Sequence, residues 1–161
     1  MLGKSNDANP LWHFSLSVYE GPGVADYCIE MQDRYDILVN LMLFVCWLGT
    51  RQIKIDCQEI KQAETVIFDY NARVTKPIRI ERRQLDSNDD KTGALKKQLL
   101  ERELQAEFNE QNKLYQWFCR ASCGEDSSEK LVETNLRCYF DIYSVPLTLP
   151  NPLLKAALCN D

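Results

Sequence analysis

The sequence predicts an all-α fold, a single-domain helical bundle of about six helices, and three observations carry that reading. Ile37 to Leu48 holds twelve residues of which only Asn40 is polar, the composition of a helix enclosed on all sides by other helices. Ala94 to Phe118 contains neither Gly nor Pro, and Leu100, Leu104, Phe108, Tyr115 and Phe118 form a stripe opposite acids and Gln, as a long amphipathic helix requires. Helix-opening signals precede other apolar runs, notably Asn9-Pro10 and Asp56-Cys57-Gln58-Glu59.

Asn9 serves as an N-cap with Pro10 in the first turn, and the pattern from Leu11 runs to Tyr19 before Gly21-Pro22-Gly23 breaks it. Pro22 opens a second helix whose Val24, Tyr27, Cys28 and Met31 keep helical spacing up to Arg34 or Tyr35. Asp36 is placed to cap the buried third helix, which Gly49-Thr50 ends. The Asp56-x-x-Glu59 capping box opens a long segment with Ile60, Ala63, Val66, Ile67 and Tyr70 on one side. Pro77 removes an amide donor and crowds the preceding turn, so a kink or brief break is expected there, before a further piece reaching Leu85.

Residues 86–93, Asp86 to Gly93, are polar and turn-rich and read as an exposed loop. The helix from Ala94 to Arg120 then pairs antiparallel with the Asp56 to Leu85 segment. Cys123-Gly124 stops it, and Asp126-Ser127-Ser128-Glu129 offers a cap for a last main helix through Leu131, Asn135, Cys138 and Ile142. The ends, residues 1–8 and 145–161, read as extended or poorly ordered, with room for one helical turn over Leu153 to Leu158.

Charge and cysteine usage narrow the function classes. The 161 residues carry 19 Lys plus Arg against 24 Asp plus Glu, a formal charge of −5, which argues against indiscriminate binding to nucleic acid or anionic lipid. Seven cysteines are scattered without the paired spacings of a disulfide framework or a zinc site, and several fall in apolar helical patterns as reduced core thiols. The N-terminal MLGKSNDANP is not an apolar signal segment and no apolar run spans a bilayer, so the expected location is the cytoplasm. No Gly-rich phosphate loop or nucleophile elbow is present, and one His leaves most His-ligated metal chemistry without ligands. No catalytic residue, metal or cofactor is therefore assigned.

Two groups of residues qualify as sites. Asn40 needs hydrogen-bond partners if buried, and Asp33, His13 or the backbone at Gly21-Pro22-Gly23 are the expected ones. The same groups, with Trp12 and Trp47, could instead line a ligand pocket among the first three helices, although core packing is the simpler reading of the aromatics. Arg73, Lys76, Arg79, Arg82 and Arg83, with only Glu81 among them, leave the rest of the chain at a net charge of about −9. They suit an anion or an acidic partner, or pairing with Glu101, Glu103, Glu107 and Glu110 of the next helix, which is the favoured reading. Cys119-x-x-x-Cys123 lacks a second ligand pair, and Asp86, Asp89 and Asp90 lack the Gly and Glu of a calcium loop.

Pro10-Leu11-Trp12-His13-Phe14-Ser15, Pro22-Gly23-Val24, Gln32-Asp33, Val39-Asn40-Leu41, Phe44 and Trp47-Leu48-Gly49, with Pro77-Ile78-Arg79-x-x-Arg82-Arg83-x-Leu85 downstream, resemble a family of small uncharacterised bacterial proteins, domain of unknown function 2390. The chain departs from that pattern where the family has Gly at position 36 and Asp at position 38. The resemblance implies a helical fold and brings no activity, substrate or catalytic residue.

The function expected from these features is that of a non-catalytic cytoplasmic protein that acts through a partner, another protein engaged by the arginine face or an exposed part of the long helix. Nucleic acid is not favoured as that partner, and no membrane contact is expected. One alternative is a small-molecule binder or enzyme with a pocket among the first three helices, and another is RNA or ribosome contact through Arg79, Arg82 and Arg83.

Overall fold

The computed structural model describes residues 9–85, 90–121, 123–126 and 131–160, and the fold is all-α. The helices are α1 (Pro10–Tyr19), α2 (Val24–Tyr35), α3 (Val39–Thr50), α4 (Cys57–Tyr70), α5 (Lys76–Arg83), α6 (Asp90–Arg120), α7 (Val132–Ile142) and α8 (Pro152–Leu158). A π-helical turn, Asn71–Thr75, joins α4 to α5, and a two-residue antiparallel ladder pairs β1 (Ile53–Lys54) with β2 (Glu125–Asp126). No helix among the described residues is long and apolar enough to cross a membrane.

The apolar run forms the centre of the molecule. Every residue of α3 from Asn40 to Gly49 is buried, with α7 as its main neighbour and α6, α1 and α8 completing the cover. Gly49 sets the closest approach: a Cβ there would stand 2.5 Å from the Val132 Cα and N. The Leu131 amide donates to the Gly49 carbonyl at 3.0 Å, so the end of α3 and the start of α7 meet backbone to backbone.

Local signals placed several ends correctly. The Asn9 side chain accepts from the amides of Leu11 and Trp12 at 3.0 and 3.3 Å. Asp56 accepts from the Gln58 and Glu59 amides, both at 2.8 Å, and Glu59 accepts from the Asp56 amide at 3.0 Å, completing the capping box. Asp36 behaves differently from the expectation. It ends α2 at φ 53, the left-handed region that Asp tolerates better than most side chains, while Leu38 occupies the N-cap of α3 with no side-chain cap bond. Likewise α2 opens after Gly23, at φ 78, and not at Pro22.

Pro77 does not break the helix. The π turn immediately before it widens the backbone where the proline ring would crowd the preceding carbonyl, and α5 continues from Lys76. The α4–π–α5 body runs antiparallel to α6, since its successive partners on α6 fall in number: Thr75 meets Glu110 and Arg82 meets Glu103.

Further expectations need correction. Helix α6 begins at Asp90, inside the segment read as a loop, while residues 86–89 lie outside the described residues. Residues 1–8 and the proposed cap residues 127–129 also lie outside them, and α7 starts at Val132 with no side-chain cap. In the tail the helical turn anticipated over Leu153 to Leu158 is present as α8, but the segment is packed and not poorly ordered: Asn151 caps α8, accepting from the Leu154 amide at 3.1 Å, and Leu153, Leu154 and Ala157 enter the core. The apolar stripe of α6 is also shifted. Leu100 and Leu104 are 52% and 47% exposed, whereas Leu99, Glu103, Ala106, Glu110 and Leu114 are buried at helical spacing. Two carboxylates on the buried face explain why hydrophobic periodicity missed it.

Candidate ligand-binding site

The buried carboxyl of Glu110, 1% exposed, organises the polar centre of the protein. Its Oε2 accepts from Asn40 Nδ2 at 2.7 Å, and its Oε1 accepts from Asn71 Nδ2 at 3.0 Å and from the Thr75 hydroxyl. Asn71 and Thr75 are the two ends of the π turn, so the widened backbone delivers both side chains to one carboxylate. Asn40 interrupts the apolar run for the same purpose.

A carboxylate can only accept, and that property sets the direction of every hydrogen bond in the ladder beyond Glu110. Asn40 must turn its amide nitrogen to Glu110, so its Oδ1 faces the other way and accepts from Gln111 Nε2 at 2.9 Å. Gln111 is left with its carbonyl oxygen at the end of the ladder, and that oxygen has no hydrogen-bond partner in the protein.

Arg79 and Arg82 of α5 form a second polar layer beside the ladder. Arg79 donates through Nε to Glu103 at 2.7 Å and through Nη2 to Glu107 at 3.0 Å, and Arg82 donates to the other oxygen of Glu103. The Arg79 and Glu103 side chains are only 11% and 5% exposed, so this pair is a buried one, in which removal of either partner strands a charge. Burial pushes the Glu107 carboxyl up from 4.5 to about 7, against the lowering effect of Arg79.

These layers form one wall of a cavity of about 500 Å³ bounded by α1, α2, α3, α5 and α6. Asn40, Arg79, Glu103, Glu107 and Gln111 line its polar side, and Ser15 of α1 adds a buried hydroxyl without a partner. Leu16, Tyr19, Ile29, Leu100 and Leu104 line it from the outer side, and all five are exposed large apolar residues. Cys28 also lines it, its thiol pushed up to about 12 by burial and therefore protonated near neutral pH. A cavity with an apolar mouth and a few convergent polar groups has the general form of a small-molecule site.

A larger groove of about 610 Å³ lies between the end of α2, α4 and Tyr143, with Phe68 on its edge. None of its lining residues is among the described side chains with a buried, unpartnered polar atom. Asp36, Glu64, Asp69 and Lys76 line it together with Leu38 and Phe68, and it presents no unmet polar demand of that kind.

The residues singled out in the sequence are distributed over several places. Trp12 and Asn40 line the cavity; His13, Asp33 and Trp47 do not. His13 is exposed, and Asp33 pairs with Arg83 at 2.7 Å, so neither is a partner of Asn40, whose partners come from α6. Trp12 packs edge-on to Phe108 at 5.1 Å, and Trp47 packs on Tyr115 and Phe118 in the core. Of the basic residues, Lys76 pairs with Asp36 at 2.9 Å and Arg73 reaches Asp69 at 3.9 Å, both on the surface. Only Cys28 and Cys46 are buried thiols among the described residues, fewer than the apolar patterns suggested. Among the described residues no group of three or more His, Cys, Asp or Glu is arranged to hold a metal ion.

Sequence reasoning did not place Ser15, Gln111 or the α6 carboxylates in a common site. The available signal was the spacing of Glu103, Glu107 and Gln111, which puts all three on one side of a helix also holding Leu100 and Leu104. Residues 10–114 match the family model described as a protein of unknown function (DUF2390). No curated protein and no solved structure matches the chain.

Proposed function

The chain belongs to the family of proteins of unknown function DUF2390, which brings no activity with it, and from the geometry we propose that it is a non-catalytic binding protein for a small amphipathic molecule. The observation that carries this reading is the convergence on one cavity of five exposed apolar side chains and two buried polar atoms without partners. Burying an unpaired polar group costs about 1–3 kcal/mol, so a ligand that satisfies these atoms gains affinity from them. The apolar mouth supplies the remainder through burial of hydrocarbon.

The basic residues fit this reading as framework. Arg79 and Arg82 hold α5 to α6 through Glu103 and Glu107, and Arg83 ties α5 to α2 through Asp33. RNA contact would need these cations to be available to phosphate, and their engagement with acids gives it no support. The exposed Leu100 and Leu104 support a second reading, in which a protein partner covers the mouth of the cavity.

Uptake of the neutral fluorescent probe N-phenyl-1-naphthylamine tests the proposal. The wild type should bind one equivalent saturably, and Leu104→Glu, at an exposed position and with its fold checked by circular dichroism, should abolish uptake. Absence of saturable uptake by the folded wild type would overturn the small-molecule reading.

A further inference from the structure

We infer that the ligand's head group is a primary ammonium ion, received by the Glu107 carboxylate and the Gln111 carbonyl oxygen. The inference deepens the binding function proposed above and rests on it. It starts from the direction of the ladder. Because Glu110 accepts only, Asn40 and Gln111 are both oriented, and the group left facing the cavity is an acceptor. Gln111 is 1% exposed, so this oxygen belongs to a built wall and not to the solvated surface.

Charge points the same way. Two guanidinium ions, Arg79 and Arg82, are held by Glu103 and Glu107, whereas the third carboxyl group of this stretch of α6, Glu110, is met by Asn40, Asn71 and Thr75 instead; the other α5 cations, Lys76 and Arg83, are turned to Asp36 and Asp33. The wall therefore carries one carboxyl group more than its cations neutralise. Burial is the main cause of the elevated proton affinity of Glu107, opposed by Arg79 and assisted by the neighbouring carboxyl groups of Glu103 and Glu110. A ligand ammonium would take the place of the proton.

Geometry allows both contacts from one head group. Glu107 and Gln111 are one helical turn apart and share a face of α6, and both line the cavity with Ser15 on the facing helix α1. An ammonium carries three N–H donors, enough for a carboxylate, a carbonyl and a hydroxyl oxygen. Its apolar body would lie against Ile29, Leu100 and Leu104 at the mouth. Arg79, Arg82 and Arg83 also line the cavity, but each is already held by a carboxylate, so a carboxylate or phosphate head placed against the Gln111 oxygen would meet an acceptor with an acceptor.

Displacement of N-phenyl-1-naphthylamine by n-octylamine, n-octanol and n-octanoate at pH 8 tests the inference, with circular dichroism to confirm that each variant is folded. Octylamine should displace the probe at least about tenfold more effectively than octanol, with octanoate the weakest, as expected for a charge-assisted contact. Glu107→Gln should bring octylamine to the level of octanol, each competitor read against that variant's own affinity for the probe. Octanoate matching or surpassing octylamine, or Glu107→Gln leaving the preference unchanged, would overturn the head-group assignment while the cavity's binding role stands. Failure of the wild type to take up the probe would overturn both.

Discussion

Replacing Asn40 by Asp puts the buried ladder under a specific load. The side chains are nearly equal in size, but the Nδ2 that donates to Glu110 at 2.7 Å becomes a carboxylate oxygen. Two carboxylates at that distance, in a site where Glu110 is 1% exposed, cannot both ionise, so the folded variant must hold a proton between them. Protonating a carboxyl of pKa about 3.9 at pH 7 costs about 4 kcal/mol, at 1.36 kcal/mol per pH unit. The folded variant thus binds one proton more than its unfolded chain between about pH 4 and pH 7, and its stability relative to wild type must fall as pH rises. Urea denaturation of both proteins at several pH values reads this directly. The expected loss is about 4 kcal/mol at pH 7, shrinking to less than about 1 kcal/mol near pH 4. A pH-independent difference, or a loss below about 1 kcal/mol at pH 7, would refute the placement of Asn40 against an acceptor-only Glu110.

Other perturbations test other parts of the structure. Glu107 is raised to about 7 in the folded protein, so its stabilising effect is present below about pH 4.5 and is lost as pH rises to about 7, amounting to at most about 3 kcal/mol. Glu107 faces Arg79 and Glu103, with Glu110 close by, and denaturation across this range should show a smaller pH dependence in Glu107→Gln than in wild type. Gly49→Ala drives a methyl group to 2.5 Å from the backbone of Val132 and should cost about 3 kcal/mol or more, measured by denaturation; a change within about 1 kcal/mol would show that α3 and α7 separate easily. Asn135 accepts from the Ile55 amide at 3.2 Å and donates to the carbonyls of Val45 and Ile53 at 3.2 and 2.8 Å. Asn135→Leu should therefore cost about 3 kcal/mol and speed hydrogen exchange at Ile55 in particular, whereas unchanged exchange there would contradict its role.

The legible parts of the fold were those whose cause is local. Asn9-Pro10 and the Asp56 to Glu59 box act within a single turn, and the Ile37 to Leu48 run announces its burial through composition. The last helix carried the same Asn-Pro signal at Asn151-Pro152, but with Pro146 and Pro150 beside it the segment reads as extended apart from one helical turn over Leu153 to Leu158. The site was hidden for a different reason. Its wall is the face of α6 that buries Glu103 and Glu110, polar positions that become core only when Arg79, Arg82, Asn40, Asn71 and Thr75 arrive from other helices. Pairing of the arginines with the next helix could be anticipated from charge alone, whereas the partners of Asn40 depend on tertiary packing across seventy residues.

Methyl NMR spectra of Ile- and Leu-labelled protein titrated with n-octylamine would test the binding site most directly. Saturable shifts are expected at Leu16, Ile29, Leu43, Leu100 and Leu104, Ile and Leu residues that line the cavity. Shifts confined to Leu38, beside the groove near Phe68 and Tyr143, or no saturable shift at any methyl group, would contradict a ligand site at this cavity.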